Sequence, residues 1–230
     1  MTKGIKKIFS EVPQTYELVN HVLTFGLDIL WRKKAAKIAT EGRGSRLLDI
    51  CSGTGETAIN LLHLAENGGT VVAADFSDPM IRKLAEKPEA DRILLTLADA
   101  SSLPFRDDTF DAITISFATR NISVSQDFRI KCFGEFRRVL KPGGVFVNME
   151  TSQPPSRFIR RLFHWYVRAF VRPMANVISG SKASYAYLMN SIINFCEAEE
   201  LADSIRQAGF STVEFDLLLF GIVAVHKATK

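Results

Sequence analysis

In the stretch LLDICSGTGETAINLL (47–62), an apolar run ends on Asp49, a turn of small residues carries Gly53 and Gly55, and Glu56 opens a helical pattern. Glycines in such a turn let the backbone approach a ligand closely at the carboxyl end of a strand, where open α/β sheets bind small molecules. Asp75 follows 20 residues after Gly55, at the end of the next apolar run, where a carboxylate can accept both hydroxyls of a ribose. The spacing points to a nucleoside. The same letters also read as G-x-G-x-x-A, a dinucleotide fingerprint, but Glu56 puts a negative charge where a pyrophosphate would sit and Asp49 adds another beneath the turn. Acids there suit a cation, such as the amino group or sulfonium of S-adenosylmethionine. Within LADASSLPFRDDTFDAITISF, Asp99 falls directly after a third strand, where it can bond an adenine amino group. Ala100 offers a backbone N–H there without crowding the ring, and Ser116 ends the fourth strand over the same crevice.

These residues need a scaffold, and the chain alternates strand and helix, the signature of a parallel sheet covered on both faces. Strands are expected at 46–51, 70–76, 92–98, 111–117 and 145–151. Helices are expected at 56–66, with Ile59, Leu62 and Leu64 inward, at 77–87, with Asp78 as N-cap and Pro79 at the first helical position, and at 124–140, ending at KPGG. A helix at 198–208 stopped by Gly209 precedes two strand-like runs, 211–220 and 221–228, whose short connection makes them an antiparallel pair. The expected fold class is a seven-stranded, mostly parallel Rossmann-like α/β sheet in one domain, 1–230.

The chain's 230 residues, 47% hydrophobic and 23% charged, fit an ordinary globular domain, with no apolar run long enough to span a membrane and no secretory signal. Three scattered cysteines fit free thiols in a cytoplasmic protein and give no metal-ligand spacing, so no metal is expected. The net charge of +4 is local: 151–196 holds six basic residues and no Asp or Glu. A partner for that segment is anionic or amphipathic.

LLDICSGTGE, VVAADFSDPMI, LADASSLPFRDDTFDAITISF and FRRVLKPGGVFV together resemble class I S-adenosylmethionine-dependent methyltransferases. ITISFATRNI, IFSEVPQTYELVNHVLTFGLDILWRK, SYAYLMNSI and LFGIVAVHK extend the resemblance, over nearly the whole chain, to the ubiquinone and menaquinone biosynthesis C-methyltransferases. That resemblance implies methylation of a ring carbon of a lipid-soluble polyprenylated quinol. It implies cofactor contacts at Thr54, Asp75 with Phe76 beside it, Asp99, Ala100 and Ser116, and an N-terminal helical lid over 1–40. The chain departs from the family pattern at Cys51 and Ser52, at Asp99 and Thr119, and at His21, where the family usually has Asp. An aromatic carbon attacks a sulfonium methyl only when the ring is electron-rich, and ionising a ring hydroxyl supplies that density. Arg120 is placed to stabilise the phenolate or order a water, Asn121 to orient the ring oxygen, and Tyr16, four residues before Asn20, to stack on or bond the quinol. His21 is a weaker candidate base, His226 is expected to be structural, and His63 and His164 are expected on the surface.

In the basic insertion, 151–196, Arg157, Arg161, His164, Arg168 and Arg172 share one helical face, opposite Ile159, Leu162, Phe163, Tyr166 and Phe170. Such a helix suits the surface of an anionic bilayer, and equally a core or homodimer contact with a solvated arginine face. RNA as substrate is disfavoured by the absence of an added RNA-binding module, and a non-catalytic quinone carrier by the residues above.

Overall fold

The computed structural model describes residues 13–42, 45–65, 69–171 and 182–230. A seven-stranded sheet in the order β3-β2-β1-β4-β5-β7-β6 forms its centre. The strands are β1 (Arg46–Ile50), β2 (Thr70–Asp75), β3 (Ile93–Leu97), β4 (Phe110–Ser116), β5 (Leu140–Thr151), β6 (Thr212–Leu218) and β7 (Val223–Thr229). The first five run parallel, while β7 lies antiparallel between β5 and β6. The order in which strands are added reverses between the parallel neighbours β1 and β4, the switch point that opens a crevice at their carboxyl ends.

Helices α1 (Pro13–Thr24), α2 (Leu27–Thr40), α3 (Glu56–Leu64), α4 (Asp78–Ala85), α5 (Thr119–Ile122), α6 (Gln126–Val139), α7 (Arg157–Tyr166), α8 (Lys182–Ile193) and α9 (Ala198–Gln207) surround the sheet. Alternation along the central strands feeds two cores. Leu48, Ile50 and Ile113 join Phe133, Phe136 and Phe146 on one face, and Leu47, Ala73 and Val145 join Ala35, Ala36 and Leu61 on the other. Fully buried side chains of this size each contribute roughly 1.5–3 kcal/mol, so the central strands are the fixed frame of the site. Three alanines of α2, Ala35, Ala36 and Ala39, let it lie flat on α3, β4 and β5.

Local details differ from the periodicity. The inner face of α3 is Thr57, Ala58, Leu61 and Leu62, with Ile59 and Leu64 only half-buried, because α3 packs against α2 as well as the sheet. Ser77, not Asp78, is the N-cap of α4; Asp78 stands in its first turn and pairs with Arg82 (2.6 Å). The 141–144 run expected to end a helix instead belongs to β5, with a register shift against β4. Among the described residues no helix is long and apolar enough to cross a membrane.

Candidate active site

Just beyond β1 and β4, Cys51 (φ 54°) and Phe117 (φ 54°) adopt left-handed backbone, a strain that proteins concentrate at functional sites. Gly53 (φ 56°) and Gly55 (φ 86°) complete the turn into α3. A side chain at Gly55 would collide with Leu84 of α4 at 2.2 Å, so this glycine is required twice over, by φ and by packing. The Asp75 carboxylate clamps the turn, accepting the N–H of Gly53 (2.8 Å) and of Ser77 (2.8 Å). Burial pushes its pKa upward against those donors. A backbone bond from Phe76 reaches the same carboxylate, and of its roughly four acceptor positions the remainder faces the cleft, where a ribose hydroxyl can donate.

A narrow cleft follows this turn, lined by Thr54, Phe76 and Ser116 together with Asp75, Met80 and Asn121. Its free volume is about 30 Å³. The hydroxyls of Ser52 and Ser116 are buried with no hydrogen-bond partner among the described residues, as expected of groups that await a polar ligand. Asp49, Asp99 and Ala100 do not line the cleft. Asp49 lies beneath the turn, accepts the Thr114 hydroxyl (2.7 Å), and is pushed by burial to a pKa of about 7. Asp99 turns onto its own loop, accepting both the N–H (2.9 Å) and the hydroxyl (2.8 Å) of Ser101, with Ala100 buried beside it.

Glu56, set against a phosphate on sequence grounds, meets a guanidinium and an imidazole that spacing did not reveal. Its carboxylate meets Arg32 Nε (3.3 Å) and His21 Nε2 (3.2 Å), and burial still pushes its pKa upward. The other ring nitrogen of His21 faces Asp28 (2.9 Å), which also accepts the Thr24 hydroxyl (2.6 Å). Imidazole, Asp28 and Glu56 lie within metal-binding reach of one another, but the Arg32 guanidinium already supplies positive charge to both acids. This network fastens α1 and α2 to the start of α3. Glu17 of α1 adds contacts to Thr54 and Lys87.

Arg120 and Asn121 diverge on the single turn of α5. Asn121 borders the narrow cleft beside the glycine turn and accepts the Tyr187 hydroxyl of α8 (3.3 Å). Arg120 lines a second cavity of about 640 Å³. Its Nη1 donates to the fully buried Glu150 (2.6 Å), which also accepts the Arg120 N–H (3.1 Å), the Thr151 N–H (2.8 Å) and the Thr151 hydroxyl (3.0 Å). Sequence reasoning missed Glu150, although an acid at the end of the apolar run VFVNME was the available signal, since buried acids are rare unless paired. The cavity walls are otherwise mostly apolar, from Leu23 and Trp31 to Phe163, Tyr166, Leu188 and Ile192, with Thr24, Asp28 and Thr151 as further polar residues. Asn20 also lines it, its side-chain N–H₂ buried with no acceptor among the described residues. Tyr16 lies on α1, but its side chain, like Arg172, falls outside the described residues.

Helix α7 turns its apolar face into this cavity through Ile159, Leu162, Phe163 and Tyr166, while Arg157, Arg161 and Arg168 are exposed. His164 is not a surface residue: it is half-buried and bonded to Gln153 (2.8 Å), and burial lowers its pKa. His63 is exposed as expected. His226 is structural as expected, buried with Nε2 donating to the Ala198 carbonyl (2.8 Å).

The chain matches the ubiE/COQ5 methyltransferase family over residues 1–230. A demethylmenaquinone methyltransferase of Clavibacter sepedonicus is 39% identical, the match covering 98% of this chain and 90% of that one. One from Thermus thermophilus is also 39% identical, covering 95% and 98%. A ubiquinone/menaquinone biosynthesis C-methyltransferase of Geobacter sulfurreducens is 34% identical, covering 98% and 88%. In fold, the chain resembles an S-adenosylmethionine-dependent methyltransferase of Thermotoga maritima described as a possible histamine N-methyltransferase, with a TM-score of 0.68 at 19% identity over 98% of this chain and 99% of that one. With the sheet order, the glycine turn and the acid ending β2 in place, the chain belongs to the ubiE/COQ5 methyltransferase family and its cofactor is S-adenosylmethionine.

Proposed function

We propose that the protein methylates a ring carbon of a polyprenylated quinol, with demethylmenaquinol as the substrate. The observation that carries this reading is the 640 Å³ cavity, apolar except for a few polar groups including Arg120 and Asn20, next to the crevice at the end of β1. Its chemistry matches a molecule whose oxygens sit at one end and whose hydrocarbon tail fills the rest.

Bound S-adenosylmethionine supplies an electrophilic methyl group. Asp75 and Ser116 hold it in the cleft, with Thr54, Gly53, Gly55 and Phe76 shaping the turn and Asp49 adding charge from beneath; Asp99 and Ala100 receive the adenine after a local adjustment of their loop. A water ordered by Arg120 takes the proton of the ring hydroxyl, the guanidinium meets the oxygen as it becomes phenolate, and Glu150 fixes the guanidinium so that little reorganisation accompanies the charge. Asn121, backed by Tyr187, orients the ring, and Tyr16 of α1 is the third contact. Helices α1 and α2 act as a lid that excludes water, and α7 and α8 of the basic insertion wall the tail. A tailed substrate resides in a bilayer, so the enzyme works from the cytoplasm as a peripheral protein at the inner membrane face, with Arg157, Arg161 and Arg168 toward the lipid.

Purified protein given methyl-labelled cofactor and a panel of reduced quinones should label demethylmenaquinol on carbon. Label appearing only in a prenylated benzoquinol would change the ring, and label in RNA alone would overturn the reading.

A further inference from the structure

Several of the large apolar side chains left exposed are gathered at one place. Phe25 is 79% exposed, Phe220 74%, Trp165 60% and Leu162 54%, and all four also line the 640 Å³ cavity. They come from three separated elements: the α1–α2 turn, α7 and the β6–β7 hairpin. Together they form the mouth of the cavity.

Two of these elements hold their aromatic in backbone that L-residues avoid. Phe25 has φ 52°, and Leu219 and Phe220 have φ 47° and 57°. A strained turn that presents a bare phenylalanine to water is disfavoured twice, and such strain points to a use. The rim is also held in place. Tyr166 donates its hydroxyl to the Leu23 carbonyl (2.8 Å) and stacks near Phe25 (6.0 Å), and Gly221 sits so close to Pro155 that a Cβ would meet its ring at 2.7 Å. Beside the rim, Arg157 and Arg161 on α7 and Arg168 on the turn that follows it are exposed, and 151–196 has no acid to neutralise them.

Resting on the quinol reading above, we propose that this mouth docks on an anionic lipid bilayer with Phe25, Trp165 and Phe220 inserted at the interface, so that the cavity opens directly among the acyl chains. The pairing of an aromatic rim with adjacent arginines is complementary to an apolar layer beneath negative headgroups. A tail thus passes into the cavity without crossing water, and the arginines supply attraction rather than the whole contact.

The protein has two tryptophans, Trp31 and Trp165. In a Trp31→Phe variant, Trp165 is the reporter. Vesicles of phosphatidylglycerol and phosphatidylethanolamine should shift its emission to the blue, and brominated acyl chains should quench it; pure phosphatidylcholine should do much less. The Phe25→Ser/Phe220→Ser variant, checked for folding by circular dichroism and for binding of S-adenosylmethionine, should lose at least tenfold in partition to the anionic vesicles at both 50 mM and 300 mM salt. Replacing Arg157, Arg161 and Arg168 with Gln should weaken binding mainly at low salt. Unquenched Trp165, or unchanged partition of the double Ser variant, overturns the proposal. A wild-type dimer in sedimentation that the Ser variant dissociates, with no vesicle binding, would assign the rim to a second copy instead. Methyl transfer to a short-chain, water-soluble quinol is measured separately without vesicles: its absence beside intact vesicle binding would overturn the quinol reading and leave the docking standing.

Discussion

A single carboxylate decides what Arg120 can do. Glu150 is fully buried and takes four donors, among them Nη1 and the N–H of Arg120, so the guanidinium reaches the cavity in one fixed orientation. Arg120→Ala should lower kcat by roughly 10²–10³, as loss of a preorganised donor does, with little change in cofactor affinity. Glu150→Gln puts an amide among donors that need an acceptor and should lower kcat about tenfold. The double variant should be no slower than Arg120→Ala, because both changes act through one guanidinium. Breaking a buried ion pair also costs about 3–5 kcal/mol, so folding must be checked by circular dichroism; a Glu150→Gln enzyme with full kcat would separate the two residues. Asp49 makes a different prediction. Burial raises its pKa from 3.8 to about 7, so the folded state binds a proton that the unfolded chain has already released. Its contribution is fully present below about pH 4 and is lost as pH rises toward 7, a penalty on the order of 4 kcal/mol at about 1.4 kcal/mol per unit. Urea melts of the cofactor-free protein should show stability falling between about pH 4 and 7, and Asp49→Asn should flatten that fall. An unchanged slope would mean that other acids carry it.

At the scale of elements, the glycine turn is built by its neighbours as much as by its own letters. At Gly55 a methyl group would meet Leu84 at 2.2 Å on backbone with φ 86°, whereas at Gly53 it would meet nothing within 4 Å. Gly55→Ala should therefore cost on the order of 2–4 kcal/mol, from strain and overpacking together, while Gly53→Ala should cost only about 1 kcal/mol. Thermal melts would register this as a fall of roughly 5–10 °C for Gly55→Ala. Adding Leu84→Ala should restore only the part due to the clash, and a fully additive pair would show that Leu84 is not the obstacle. The same dependence on neighbours limited the reading of α3. Its period was visible, but α2 lies on one side of it, so Thr57 and Ala58 are buried where Ile59 and Leu64 were expected.

For the whole molecule, cofactor and fold are linked by mass action. S-adenosylmethionine at about 100 times its Kd should stabilise the protein by about 2.7 kcal/mol, or roughly 5–10 °C in Tm. Asp75→Ala would remove the acceptor for the Gly53 and Ser77 N–H groups as well as any ribose contact, so Asp75→Asn is the cleaner variant. It should weaken cofactor binding about ten- to a hundredfold and leave a shift of only a few degrees at the same cofactor concentration; an undiminished shift would remove Asp75 from the site. The sequence alone determined the strand order's raw material, the glycine turn and the acid at the end of β2, because period, turn chemistry and the 20-residue interval are local properties of the chain. It also pointed to Arg120 and Asn121. What only the tertiary structure decided was their separation into two cavities, the attachment of Arg120 to Glu150 thirty residues away, and the meeting of Phe25, Trp165 and Phe220 at one mouth. Those contacts arise between residues distant along the chain, where side-chain spacing carries no information until the parallel strands and their crossovers bring the segments together.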